Sequence, residues 1–66
     1  MSEAERACAY LEAMAAKVGG DVKVYINAKG KYMMQKRGAP QKSIRVKLDE
    51  PRESFDDKVR MLMEGA

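Results

Sequence analysis

Val22-Lys23-Val24-Tyr25-Ile26-Asn27-Ala28-Lys29-Gly30-Lys31-Tyr32-Met33-Met34 decides how this chain folds. Val22, Val24 and Ile26 alternate with Lys23, Tyr25 and Asn27, the period of a strand with one buried face. Asn27-Ala28-Lys29-Gly30 then puts glycine where a type I turn followed by a bulge needs a left-handed residue. A three-residue loop of Ala28 to Gly30 sets Asn27 opposite Lys31, Ile26 opposite Tyr32, Val24 opposite Met34 and Lys23 opposite Gln35. Val22, Val24, Ile26, Tyr32 and Met34 then share one face. Lys23, Tyr25, Met33, Gln35 and Arg37 share the other. The turn rule and the hydrophobic alternation are independent and agree on this register.

Downstream, Gly38-Ala39-Pro40 is expected to punctuate the end of the second strand, since proline lacks an amide hydrogen and restricts the residue before it. Ile44, Val46 and Leu48, alternating with Ser43, Arg45 and Lys47, predict a third strand. Connections this short allow only antiparallel pairing, because a parallel crossover takes a dozen or more residues. The polar face of the meander would thus display Lys23, Tyr25, Gln35, Arg37, Arg45 and Lys47.

Both flanks change to helical spacing. Ser2 and Glu5 form a capping-box pattern, followed by Ala4, Ala7, Cys8, Leu11, Met14, Ala15 and Val18 on one helical face and by Gly19-Gly20 as terminator. Asp49-Glu50-Pro51 opens a second helix whose buried stripe is Phe55, Val59, Leu62 and Met63, with Gly65 near its end. Tyr10, Met33 and Met61 are expected off the core. The fold class is therefore α+β, in the order helix, three-stranded antiparallel meander, helix (α-β-β-β-α), with both helices on one face of the sheet and residues 1–66 forming a single small domain.

Charge is sorted along the chain. Residues 22–48 hold eight Lys or Arg (Lys23, Lys29, Lys31, Lys36, Arg37, Lys42, Arg45, Lys47) and no Asp or Glu, whereas all ten acidic residues lie outside. The net charge of +3 hides this segregation. With 45% hydrophobic and 35% charged residues the composition is globular, and at 66 residues the core is near the lower size limit. No apolar run approaches the ~18 residues of a membrane span, and the start carries no signal-peptide pattern, so a soluble, cytoplasmic protein without membrane partners is expected. The single Cys8 cannot form an internal disulfide.

The inventory narrows the chemistry. Without histidine, and with one cysteine, zinc-ligand spacings and histidine-based triads are absent, so no enzyme activity and no cofactor or metal is expected. Cys8 has no base to activate it and reads as a packing residue. The carboxylates Asp49, Glu50, Glu53, Asp56 and Asp57 read as compensation of a helix dipole. Lys29-Gly30-Lys31 lacks the remainder of a phosphate-loop motif and precedes a strand, so it reads as a hairpin tip.

The element order resembles that of the double-stranded-RNA-binding domain, in which the first helix, the first hairpin loop and a lysine-rich start of the second helix grip the duplex. Here the second helix starts Pro51-Arg52-Glu53-Ser54-Phe55-Asp56-Asp57, acidic where that family is basic. The strand-strand-strand-helix portion is similar to the three-stranded sheet readers of duplex DNA, such as integrase arm-binding domains, which implies a sheet set into a groove. Both likenesses are of architecture, and neither assigns a family.

Two functions compete for the basic sheet. The first is non-catalytic binding of DNA or RNA, with Lys23, Arg37, Arg45 and Lys47 on phosphates, Tyr25 stacking, Gln35 as a polar edge, and Lys29 and Lys31 at the hairpin tip. The alternative is a small protein-binding inhibitor or adaptor, like those phages make against host nucleases or polymerases, docking on an acidic or nucleic-acid-binding surface of its partner. Tyr, Met, Arg and Gln suit such an interface equally. The Ala-rich helix and an open sheet edge also leave room for a homodimer.

Overall fold

The computed structural model describes residues 2–64. Helix α1 (Glu3–Lys17) is followed by strands β1 (Val22–Ile26), β2 (Tyr32–Lys36) and β3 (Ala39–Val46) and by helix α2 (Arg52–Glu64), giving the expected α-β-β-β-α order. The strands form one antiparallel sheet in the order β1-β2-β3. No helix is long and apolar enough to cross a membrane among the described residues. Gly65, expected as the terminator of the second helix, lies outside them.

The hairpin forms as its sequence requires. Val24 pairs with Met34, Lys23 with Gln35 and Ile26 with Tyr32. Gly30 takes φ +79°. The Asn27 side-chain oxygen accepts from the Lys29 amide at 2.9 Å and the Lys31 amide at 3.0 Å, while the Asn27 carbonyl accepts from the Gly30 amide. One short side chain thus satisfies two loop donors, which fixes the loop length and with it the register.

The third strand differs from expectation. It begins at Ala39 and includes Pro40, because Arg37-Gly38 makes a two-residue turn, with Gly38 at φ +83°, that brings Ala39 opposite Lys36. The register then shifts between Gln35 and Lys36, and such an irregularity on an edge strand tolerates a residue without an amide hydrogen. At the other end β3 stops at Val46, so Leu48, expected in the strand, falls outside it and is 48% exposed. Ile26 is on the apolar face by register but remains 39% exposed at the strand's end.

Both helices cover the apolar face. Ser2 caps α1 by accepting from the Glu5 amide at 3.2 Å. Leu11 and Ala15 of α1 join Phe55, Val59 and Leu62 of α2 over Val22, Val24, Met34 and Val46 of the sheet. Phe55, Leu11, Met34 and Val59 are the largest fully buried side chains, each contributing about 1.5–3 kcal/mol by leaving water. Helix α1 packs on β1, and α2 packs on β3 and β2. Tyr10 and Met61, expected off the core, are exposed, and Cys8 is partly buried against it.

Gly20 closes the layer. It is buried where α1 ends, its amide donating to the Ala15 carbonyl at 2.8 Å. A β-carbon there would sit 2.5 Å from Val59 Cγ1 and 3.1 Å from the Ala15 carbonyl oxygen. Gly20→Ala should therefore destabilise the protein by about 1–3 kcal/mol through overpacking. Urea unfolding followed by circular dichroism measures this; an unchanged midpoint would show that α2 can yield at Val59.

Candidate functional site

The strand register arranges the face away from the helices in rows. One row is Tyr25, Met33 and Arg45, and the next is Lys23, Gln35 and Ser43. Asn27 bonds to Lys31 across the hairpin mouth, and continuing the β2–β3 register one residue sets Lys47 beside Lys31. Rows are about 6.7 Å apart along the strands, and neighbours within a row about 5 Å apart. Tyr25 and Met33 are half-buried yet are not packed against the core, which places them on this open face.

Six of the eight expected site residues lie on the rows: Lys23, Tyr25, Lys31, Gln35, Arg45 and Lys47. Lys29 is in the hairpin loop beside them. Arg37 departs from the others. It stands in the turn after β2, where its guanidinium is 3.0 Å from Asp21 and 3.6 Å from Glu12 of α1. Two carboxylates already compensate it, and it ties the turn to α1.

Lys36 is also committed. Its side chain runs on the helix side of the sheet and its ammonium donates to the Met63 carbonyl at 3.3 Å. Helix α2 has no basic residue in its own last turn, so Lys36 brings positive charge from the sheet to the negative end of its dipole. By contrast Lys23, Lys29, Lys31, Arg45 and Lys47 are exposed and make no salt bridge among the described residues. Two of the acids of α2 are spent on α2 itself, in Arg52–Asp56 and Asp57–Arg60 pairs.

Four of the five free cations gather at one end of the face. At the hairpin end of the β2–β3 pair, Gly30, Lys31, Tyr32, Arg45, Val46, Lys47 and Leu48 line a depression of about 310 Å³, in which Tyr32 and Val46 belong to the core side of the sheet. Lys31 and Lys47 are neighbours of like sign, an arrangement that is mildly destabilising unless an anion lies between them. The far end carries Lys23 alone.

A partly buried network holds the β3 side of this depression. Lys58 of α2 donates to the Arg45 carbonyl at 2.9 Å and pairs with Glu50 at 2.8 Å. Glu50 accepts from the Lys47 amide at 3.1 Å and from the Ser54 hydroxyl. Its side chain is only 4% exposed. Burial pushes the Glu50 carboxyl up; the hydrogen bonds from Lys58, Ser54 and the Lys47 amide, with the Lys58 charge, outweigh this and hold it below the ordinary value of 4.5. Glu50 is therefore more than dipole compensation: it fixes the backbone that carries Arg45 and Lys47. Sequence reading missed this because its partners lie 3, 4 and 8 residues away, one in the segment after β3 and two on α2.

Burial and the Glu12 charge raise the Cys8 thiol, which keeps it protonated, as its reading as a packing residue requires. No group of three or more His, Cys, Asp or Glu that could hold a metal occurs among the described residues. No protein-family model matches the chain, and no curated protein and no solved structure matches it.

Glu50→Gln should cost about 1–3 kcal/mol at neutral pH, because a buried acceptor loses its charge while its donors remain. A carboxyl depressed by folding contributes stability that is present above its unfolded value and is lost as pH falls through the folded one. The stability gap between wild type and Glu50→Gln should thus narrow as the pH is taken below 4.5. Urea titrations at several pH values test this; a gap independent of pH would mean that the charge on Glu50 contributes nothing.

Proposed function

We propose that this chain is a non-catalytic, cytoplasmic nucleic-acid-binding protein that uses the open face of its sheet. The observation that carries the reading is that Lys23, Lys31, Arg45 and Lys47 on the open face, and Lys29 in the loop beside them, are exposed and make no salt bridge among the described residues, while Lys36 and Arg37 are engaged within the fold. A field of one sign attracts a polyanion, and here it is interleaved with Tyr25, Met33 and Gln35, which supply a stacking surface and a polar edge. Lys31, Arg45, Lys47 and Lys23 take phosphates. Arg37 takes no part.

The test is fluorescence anisotropy with labelled oligonucleotides over a series of salt concentrations. Four phosphate contacts give a slope of log affinity against log salt of about −3.6 on duplex DNA and about −2.8 on a single strand. The double charge reversal Arg45→Glu and Lys47→Glu should weaken binding more than about tenfold, with the circular dichroism spectrum unchanged, while Arg37→Ala should leave affinity within about twofold. Equal affinity for the double reversal and the wild type would overturn the assignment of the face. Binding to an acidic protein but to no nucleic acid would replace the polyanion with a protein partner.

A further inference from the structure

We infer that the occupant of the face is a single strand of nucleic acid, not a duplex, lying along the strands with a phosphate at either end and a base stacked on Tyr25. This deepens the reading above and depends on it. The inference rests on how the cations are distributed. An element set into a duplex groove meets a sugar-phosphate backbone on both flanks, across about 12 Å in the major groove or about 6 Å in the minor groove. A sheet reading a groove therefore needs positive charge along both of its outer strands.

That pattern is absent among the described residues. Along the β1 flank the face carries Asn27, Tyr25, Lys23 and the acidic Asp21, which Arg37 already compensates. Along the β3 flank the cations Lys47 and Arg45 give way to neutral Ser43. The charges instead mark the two ends of one diagonal path. It starts at Lys31, Arg45 and Lys47 and finishes at Lys23.

Between those ends the path crosses uncharged surface. Tyr25 and Met33 are cross-strand partners, half-buried and outside the core, and Gln35 follows beside Lys23. Four residues along a strand cover about 13 Å. That is about four stacked nucleotides at 3.4 Å each, and fewer if the strand is extended. Bases can reach Tyr25 only when they are unpaired, since a duplex buries their faces in its own stack. The first turns of the helices are acidic, with Glu3 and Glu5 in α1 and Glu53 in α2, and offer a duplex no grip there.

The experiment compares the intact protein on a single-stranded oligonucleotide and on a hairpin duplex of equal phosphate number, in DNA and in RNA. The single strand should bind at least about tenfold more tightly. Tyr25→Leu, which keeps apolar bulk against Met33 but removes the ring, should lower single-strand affinity about tenfold without changing the salt slope, and Tyr25→Phe should retain it. Duplex binding equal to or tighter than single-strand binding would overturn this inference while leaving the basic face intact. So would a Tyr25→Leu protein that is folded by circular dichroism and binds like wild type. Failure to bind either form at low salt would overturn both the inference and the reading beneath it.

Discussion

The register of the first hairpin is the constraint from which the other features of the molecule follow. Side chains alternate with period two, so a slip of one residue between β1 and β2 would exchange the faces, putting Lys23 and Tyr25 under the helices and Val22 and Val24 into water. The slip is prevented locally: the Asn27 side chain accepts from two loop amides while Gly30 takes a left-handed φ that other residues adopt only with strain. A loop of fixed length then leaves one pairing. The core, the face that carries the free charge and the positions of both helices are consequences of it.

Charge in this protein is divided between holding the fold and remaining free. Lys36, Arg37 and Lys58 each join an element of the sheet to something else: a helix C-terminus, a helix carboxylate and turn aspartate, and a buried glutamate with a strand carbonyl. These cations add ties to a layer whose apolar core is near the lower size limit. Lys23, Lys31, Arg45 and Lys47 are instead on the side the helices do not cover. Glu50 connects the two groups, because the same carboxylate that pairs Lys58 accepts from the backbone of Lys47.

Much of the fold was legible because two local rules, period and turn chemistry, pointed to the same pairing at Val22 to Met34. The α1 cap at Ser2, the exposed Tyr10 and Met61 and the buried Phe55, Val59 and Leu62 followed from helical spacing in the same way. Long-range commitments were not legible. Nothing near Arg37 in sequence announces Glu12, and Lys36 and Met63 are 27 residues apart. Pro40 argued against a strand by its missing amide hydrogen, an argument that fails on an edge where that hydrogen has no partner to meet. The basic segment was thus visible as composition, but which of its charges are free depends on contacts that only the folded chain makes.

The same helix side chains have a consequence for the protein in concentrated solution. A three-stranded sheet has two open edges, and backbone groups facing outward from β1 and β3 are a template on which further strands can add. Glu12 of α1 accepts from the Val24 amide of β1 at 3.0 Å, and on the opposite edge Lys58 occupies the Arg45 carbonyl of β3. Each helix therefore places a charged group on the hydrogen-bonding rim of the strand it covers. Growth of the sheet from one molecule into the next would have to break these bonds and strip water from the charges. The sheet is in this sense self-terminating, and its flat face can stay exposed without the edges beside it recruiting other chains into a fibre.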